Sequence, residues 1–347
     1  SDIPGYTGYT KLMTNVGQTS NRGIELQLNA WLIETKDFSL NATFNIGHNK
    51  NKIDKLASGE KEWILTSAWR NDVVNSDDYR AYVGGTSGLI YGYVNDGFYT
   101  VADFESFDSK SRTWKLKEGV VDSSPLSDTP RPGNAKFKKL TPVDPNSTNP
   151  YQLTEADRTV IGNTTPKFSG GFGLNATYKG FDMSMFFNFM YDFDVLNANK
   201  IMLTTWADNK ENNFLMNIAS DKRWRNFDDM GNEIRYSPEV LAEFNKNATM
   251  WNPTSIGRPI CMSYAVEDGS FLRLNSATLG YTLPSVWTKK VGLSKVRFYV
   301  SGNNLFTLTG YSGYDPEVNI ATGLTPNIDY NRYPRSRTYT FGAQLTF

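Results

Sequence analysis

The sequence predicts an all-β protein, an antiparallel transmembrane β-barrel with long loops. Several segments alternate strictly between apolar and polar residues, and the connections between these segments are alternately short and long. No apolar run reaches the roughly 18 residues that a membrane-spanning helix requires. Alternation is the period of a strand, because successive side chains point to opposite faces of a sheet. Each predicted strand therefore has one apolar and one polar face.

The end of the chain shows this pattern most clearly. Its apolar positions are Tyr339, Phe341, Ala343, Leu345 and Phe347. In a soluble sandwich the apolar face would cover a core, whereas in a membrane barrel it would face lipid while the polar face lines a wet lumen. The terminal aromatic residues suggest the barrel, but one strand leaves both interpretations open.

Earlier segments repeat the pattern as hairpins. The first hairpin places glutamate, glutamine and several asparagines on one face, which is more hydrophilic than a buried core tolerates. A change of register near residues 274–275 indicates a bulge. The predicted strands span 24–32, 38–46, 168–178, 181–191, 271–283, 296–308 and 339–347.

The connections are unequal in length. Short links at 35–37, 179–180 and 284–293 would all lie on one rim of an up-and-down sheet. The other rim would carry long loops at about 49–167, 195–269 and 309–336. Outer-membrane barrels have this asymmetry, with tight periplasmic turns and long extracellular loops. Aromatic residues near the predicted strand ends would form an interfacial girdle, namely Tyr178, Phe181, Tyr281, Trp287 and Tyr339.

The number of strands is too small for a closed barrel with loops of this size. We count about seven clear strands, or ten with short strands around Tyr91, and we expect a helix at 237–244. An open sheet edge is unfavourable in lipid, and a barrel of about eight strands encloses almost nothing. We therefore expect residues 1–347 to be the carboxy-terminal portion of a larger barrel whose earlier strands come from another segment or chain.

Composition argues against several other functions. The 36 basic and 36 acidic residues balance, so no basic field favours nucleic acid. His48 is the only histidine and Cys261 the only cysteine, which nearly excludes a histidine-based metal site or triad and excludes an intrachain disulfide. No paired carboxylates, nucleophile–base set or signal peptide stands out, so we predict a non-enzymatic protein without a cofactor.

An ordered set of short motifs spans nearly the whole chain. They are Asn21-Arg22-Gly23-Ile24, Tyr91-Gly92-Tyr93-Val94-Asn95-Asp96-Gly97, Arg131-Pro132-Gly133, Asp157-Arg158-Thr159-Val160-Ile161-Gly162-Asn163, Pro166-Lys167-Phe168-Ser169-Gly170-Gly171, Phe271-Leu272-Arg273-Leu274, Gly302-Asn303-Asn304-Leu305-Phe306 and Tyr333-Pro334-Arg335-Ser336-Arg337. In this order the set resembles the carboxy-terminal third of SusC-like TonB-dependent transporters of the Gram-negative outer membrane.

The resemblance implies a barrel of 22 strands, of which this chain supplies wall, lumen lining and lid-binding loops. It also implies an amino-terminal plug that contacts TonB and lies outside this sequence, together with the missing barrel strands. The implied partners are a SusD-like surface lipoprotein, TonB acting through the plug, membrane lipid or lipopolysaccharide, and an oligosaccharide or peptide cargo. No nucleic acid is implied.

Two groups of loop residues are candidates for contact with cargo or lid. Three tryptophans lie in the second long loop, and a polar and aromatic group lies in the third. Their side chains could stack on sugar rings or anchor the lid protein, but loop self-packing is the more frequent role. The candidates are Trp206, Trp224, Trp251, Tyr311, Tyr314, Asp315 and Glu317.

One stretch of the first long loop has the oxygen spacing of a calcium loop of the EF-hand type. The candidate ligands are Asp144, Asn146, Thr148, Gln152 and Glu155. Asn149 stands where the turn glycine is needed, and Pro145 and Pro150 interrupt the loop. An ordinary loop is therefore favoured over a filled calcium site.

Two alternatives to the transporter remain. One is a soluble, secreted β-rich glycan-binding module, and the other is a small self-closing porin-like barrel. The polar strand faces and the restriction of long loops to one rim both argue against a two-sheet core.

Overall fold

The computed structural model describes residues 17–67, 69, 77–127, 129–205, 215–218, 221–256, 259–317, 319 and 323–347. Its strands are β1 (Gln18–Glu34), β2 (Phe38–Lys55), β3 (Glu62–Leu65), β4 (Tyr79–Tyr82), β5 (Leu89–Gly92), β6 (Asn95–Phe98), β7 (Phe104–Asp108), β8 (Thr113–Leu116), β9 (Ala135–Phe137), β10 (Thr159–Asn163), β11 (Phe168–Tyr178), β12 (Phe181–Tyr191), β13 (Asp194–Asn197), β14 (Val266–Asp268), β15 (Phe271–Thr282), β16 (Lys295–Thr309), β17 (Ile328–Asp329) and β18 (Thr338–Thr346).

Helices are few and short. None in the described ranges is long and apolar enough to cross a membrane. The α-helices are α1 (Ala198–Met202), α2 (Pro238–Phe244), which confirms the predicted helix, and α3 (Ser285–Thr288). Single 3-10 turns span Ala57–Gly59, Val101–Asp103, Glu155–Asp157, Met216–Ile218, Pro253–Ser255, Ser263–Ala265 and Lys289–Val291.

Seven strands form one antiparallel sheet in the order β1-β2-β11-β12-β15-β16-β18, which we call the wall sheet. These are the seven strands that alternation predicts. The bulge is present as a register shift between Leu274 and Ser276. The first two strands are longer than predicted. Because β2 continues to Lys55, the first long connection begins at residue 56 and not at about residue 49, as predicted.

One face of the wall sheet is apolar across all the strands. A single row across the sheet contains Leu28, Phe44, Phe172, Phe187 and Leu274. The rings of Phe172 and Phe187 stack with centroids 4.5 Å apart. Many residues of this face are exposed, as the predicted lipid-facing wall requires.

The opposite face is polar and hydrogen-bonded along the sheet. The Asn41 amide donates to Asn29 Oδ1 at 2.7 Å, and the Ser39 and Thr177 hydroxyls lie 2.6 Å apart. The row that includes Asn41 continues through Asn175, Ser184, Thr278, Ser301 and Thr340. This face has the polarity of a barrel lumen.

The connections follow the predicted asymmetry. The links after β1, β11 and β15 are short, and the third of them contains α3. The connections at 56–167, 192–270 and 310–337 all leave the opposite rim, and together they form what we call the loop layer. The predicted aromatic positions at strand ends are confirmed for Tyr178, Phe181, Tyr281 and Tyr339, whereas Trp287 lies in α3 between two strands. The Phe181 and Tyr281 rings lie 4.5 Å apart.

The loop layer has secondary structure of its own. The strands around Tyr91 do form, but they do not extend the wall: β5 belongs to a separate four-stranded sheet in the order β10-β5-β4-β3. Because these strands are only four or five residues long, they are too short to cross a bilayer. The layer also contains the three-stranded sheet β14-β13-β17 and the pairs β6-β9 and β7-β8.

Candidate functional site

The loop layer is held by apolar cores, and two of the predicted tryptophans belong to them. Trp251 is 2% exposed, packs edge-on against Tyr264 at 4.7 Å and donates its Nε1–H to the Thr204 carbonyl at 3.3 Å. Trp224 is equally buried and packs against Phe98 at 5.8 Å. Their burial favours loop self-packing for these two residues. Trp206 lies outside the described residues.

Gly133 explains part of the Arg131-Pro132-Gly133 motif. Its φ is 89°, in the left-handed region that favours glycine. A Cβ at this position would lie 2.2 Å from Cδ1 of Trp224, so only glycine admits the indole. The backbone of Gly133 also accepts a hydrogen bond from the Asn252 amide at 2.8 Å, which ties the first long loop to the second.

A buried ion cluster joins the third long loop to the wall sheet. Arg273 lies in β15 on the polar face and is fully buried. Its Nη2 is 2.6 Å from Asp315 Oδ1, and its Nη1 is 3.0 Å from Glu317 Oε2. Arg335 reaches the same Glu317 oxygen at 3.3 Å. Asp315 and Glu317, both predicted as site residues, thus fix the loop to the wall.

Tyr311 has a second anchoring role behind this cluster. Its hydroxyl donates to Asp329 Oδ2 at 2.7 Å, and the Asn199 amide donates to Asp329 Oδ1 at 3.1 Å. Burial raises the pKa of Asp329, although these hydrogen bonds oppose the rise. Burial and the neighbouring Asp329 carboxylate raise the pKa of the Tyr311 hydroxyl, which keeps it protonated as the donor.

Glu267 connects the second and third loops. It accepts hydrogen bonds from the Ser312 amide at 3.0 Å and the Ser312 hydroxyl at 2.8 Å, and Lys200 Nζ lies 3.3 Å away. Burial disfavours its ionisation, but the hydrogen bonds and the lysine outweigh this and lower the pKa of Glu267. Glu267 therefore fixes the second and third long loops to each other.

These two loops line a cleft of about 610 Å³, which we call the tyrosine cleft. Tyr314 and Tyr333 line it and are 83% and 93% exposed. The other lining residues are Asn197, Asn199, Lys200, Leu203, Leu215, Ser312, Gly313, Asn331, Arg332 and Pro334. Exposed aromatic rings beside amides and cations can stack on a ligand and hydrogen-bond to it.

The structure thus brings the third-loop candidates together, whereas Trp224 and Trp251 do not line the cleft. Tyr314 is the predicted residue that lines a cleft, while Tyr311, Asp315 and Glu317 hold its base. Sequence reasoning did not assign a role to Arg273, Glu267, Asp329 or Tyr333. A charged residue on the polar face of a strand, as Arg273 is, was the available signal.

Asp144 and Glu155, two of the calcium candidates, lie in different turns of the first long loop. Asp144 Oδ1 accepts a hydrogen bond from the Asn146 amide at 2.9 Å in an exposed turn, and Glu155 lies in a 3-10 turn capped by Asp157. Burial disfavours ionisation of Asp157, but backbone hydrogen bonds from Thr141 and its neighbours hold its pKa well below the ordinary range. Among the described residues, no group of three or more histidine, cysteine or acidic side chains could hold a metal ion.

The fold defines a class of protein, an antiparallel β-barrel wall with one apolar face and a structured loop layer at one rim. No family model matches the chain. The chain is 32% identical over 99% of its length to TonB-dependent receptor P3 of Formosa agariphila, and 26% identical over 99% to TonB-dependent receptor SusC of Bacteroides thetaiotaomicron. It spans about 30% of the length of these curated relatives.

Solved structures agree with this classification at the level of the fold. The chain superimposes over its full length on 31% of a chain in the structure of the RagAB peptide transporter, with a TM-score of 0.65 and 22% identity. A chain in the closed-closed state of the RagAB peptide importer gives a TM-score of 0.64 over 99% of this chain and 31% of that one. The chain is therefore similar, over nearly its whole length, to part of the TonB-dependent receptors.

Proposed function

We propose that this chain is the carboxy-terminal part of a TonB-dependent importer in the Gram-negative outer membrane. The wall sheet would complete a barrel with strands from an upstream segment, and a plug in that segment would transmit force from TonB. The cargo would be an oligosaccharide or a peptide, and a SusD-like lipoprotein would cover the loop layer. The similarity to TonB-dependent receptor SusC supports the proposal of TonB as the energy source and of a SusD-like lipoprotein as the lid.

The two-faced wall sheet is the observation that carries this proposal. Seven long strands place an apolar row toward one side and an Asn, Ser and Thr row toward the other. A soluble glycan-binding module would have to cover the apolar face, yet Ile24 and Phe341 are 79% and 81% exposed. In a membrane, lipid would cover the apolar face without any further protein.

The tyrosine cleft is the part of the loop layer that best suits cargo. Its two rings are exposed while the base beneath them is held by the buried Arg273 and Asp329 clusters. Rigid support of this kind keeps a binding group in place and lowers the entropy lost on binding. We expect the lid protein to lie near the tyrosine cleft, because the lid and the cleft would both be at the mouth of the barrel.

Transport is tested in cells that express the receptor containing this chain, with oligosaccharides or peptides offered as the sole nutrient. We expect uptake to require both the receptor and an intact tonB gene, because the driving force comes from the inner membrane. Uptake that persists without TonB would instead support the porin-like alternative. Recovery of the protein in a soluble fraction would support the glycan-binding alternative.

The role of the cleft is tested by the double variant Tyr314→Ala, Tyr333→Ala. We expect uptake at low cargo concentration to fall about tenfold, the effect of about 1.4 kcal/mol of lost binding. Tyr339→Ala is the matched control, since it removes an exposed tyrosine from the wall sheet. Equal uptake by the double variant and the control, at equal surface abundance, would show that the cleft does not bind cargo.

A further inference from the structure

The outward surface of β1 and β2 carries basic residues just above the apolar face. We propose that Arg22, Lys50 and Lys52 bind the phosphate groups of a phosphorylated glycolipid in the outer leaflet. This rests on the proposed function, because lipid must surround the wall sheet for these residues to meet a headgroup. The loop rim, from which the long connections leave, is then the outer side.

The register places these residues on the lipid-facing side. Arg22 pairs with Lys50, and Ser20 pairs with Lys52. From Thr19 to Ala30 the pairing with β2 has no shift, so Arg22 shares a face with Ile24, and Lys50 shares one with His48 and Ile46. The basic side chains therefore continue the apolar face and not the lumen face.

The height of these residues matches a headgroup layer. On β2 the apolar positions run from Phe38 to Ile46. At about 3.4 Å per residue and a tilt of about 40°, this band spans roughly 20 Å, close to the apolar band of outer-membrane barrels. Lys50 is four residues beyond Ile46, or roughly 10 Å higher by the same geometry.

The loop layer covers the other side of the same strands and leaves this side open. Ile53, on the lumen face, is buried with Leu56 and Ala81 of the first loop. Asn51, on that face too, accepts a hydrogen bond from the Ser87 amide at 3.2 Å. On β2, Lys50 and Lys52 alternate with these residues. Both lysines and Arg22 of β1 are exposed.

The charges of Arg22 and Lys50 would be stabilised by a bound anion. Arg22 and Lys50 are directly opposite each other on neighbouring strands, an arrangement in which like charges are destabilising. Within the described ranges neither has a carboxylate at ion-pair distance, and Lys52 has Asp54 at 3.8 Å. A phosphate between the two strands would remove the repulsion and form charge-assisted hydrogen bonds to both.

The test compares three forms of the receptor purified from outer membranes in mild detergent and stripped of lipid. They are the unaltered protein, the triple variant Arg22→Gln, Lys50→Gln, Lys52→Gln, and the control Lys36→Gln, Lys289→Gln, Lys290→Gln. The control removes the same charge from the opposite rim. Binding of purified lipid A, and of lipid A with its phosphates removed, is measured by native mass spectrometry, with heat-modifiable gel mobility as the check on folding.

We expect lipid A to bind at least tenfold more weakly to the folded triple variant than to the other two forms, and the dephosphorylated lipid to bind weakly to all three. Inorganic phosphate at the same phosphate concentration should not displace lipid A. Equal affinity in the triple variant, equal binding of the dephosphorylated lipid, or full displacement by inorganic phosphate would overturn the inference. If the unaltered protein never enters the outer membrane, the proposed function itself fails.

Discussion

The wall sheet and the loop layer use large apolar side chains in opposite ways. In the wall sheet Phe341 and Ile24 are among the most exposed residues, whereas in the loop layer Trp251 and Tyr79 are almost completely buried. Both regions are rich in β-strands and aromatic residues. The proposed function accounts for the difference by two solvents: lipid would accept the apolar face of the wall, whereas water makes the loops build cores of their own.

Truncating one large side chain in each region gives the sharpest contrast. Trp251→Ala removes a buried ring and should cost about 3 to 5 kcal/mol of loop stability. Phe341→Ala removes an exposed ring that lipid already solvates and should cost far less. Hydrogen exchange of the second long loop in detergent measures the first effect. Similar protection in both variants would mean that the loop layer does not depend on its core.

Breaking a buried ion pair of the loop layer should cost more stability than breaking a partly exposed ion pair of the wall sheet. Arg273→Met leaves Asp315 and Glu317 buried without their main partner, and we expect a loss of roughly 3 kcal/mol, at the low end for broken buried pairs because Arg335 remains beside Glu317. Arg297→Met breaks a partly exposed pair with Asp182 in the wall and should cost about 1 kcal/mol or less.

Limited proteolysis within the third long loop is the measurement for this pair of variants. We expect rapid cleavage in Arg273→Met and unchanged resistance in Arg297→Met. An equally resistant loop in both would show that the buried cluster does not hold the loop to the wall.

The stability of the loop layer should also depend on pH, through the buried carboxyl group of Asp78. Burial raises the pKa of Asp78 to about 6, and the Ser67 amide donates to this carboxyl group at 2.7 Å. A raised pKa stabilises the fold below the unfolded value of about 4, and this stabilisation is lost as pH rises through about 6. Between pH 5 and pH 8 the loop sheet should lose about 1 to 2 kcal/mol.

The pH dependence is measured as hydrogen exchange of β4 and β5, corrected for the intrinsic rate at each pH. Asp78→Asn keeps the shape of the side chain without its titration and should flatten the profile. A slope that persists in this variant would assign the effect to another group.

Removal of one buried hydroxyl group from the loop layer is expected to have an effect as small as that of pH. Tyr311→Phe removes the donor to Asp329 and leaves the ring in place, which should cost about 1 to 2 kcal/mol. Tyr339→Phe changes an exposed tyrosine of the wall and should be neutral. Local exchange around β17 distinguishes the two, and an unchanged β17 in Tyr311→Phe would mean that Asn199 alone holds Asp329.

Much of the wall sheet could be predicted from the sequence, because alternation is a local property of neighbouring residues. The seven strands, the bulge after Leu274 and the two unequal rims are confirmed. The end of β2 was less visible, since beyond His48 it leaves the apolar band and its outward residues become polar. The ordered motifs carried the family resemblance, which the relatives confirm.

The candidate site was only partly predictable. Alternation could not show that Trp251 packs on Tyr264 or that Tyr314, unlike Tyr311, stays exposed. The placement of each depends on partners that are distant in sequence. The Tyr79 hydroxyl, for example, donates to the Pro326 carbonyl 247 residues away.

The sequence alone therefore determined which face of each wall strand is apolar, because that follows from a period of two residues and from the solvent on each side. The tertiary structure decided which loop residues are cores, anchors or open surface. Arg273 contacts Asp315, and Tyr311 contacts Asp329, because the fold places side chains that are distant in sequence next to each other. The sequence contains those side chains but not the distances between them.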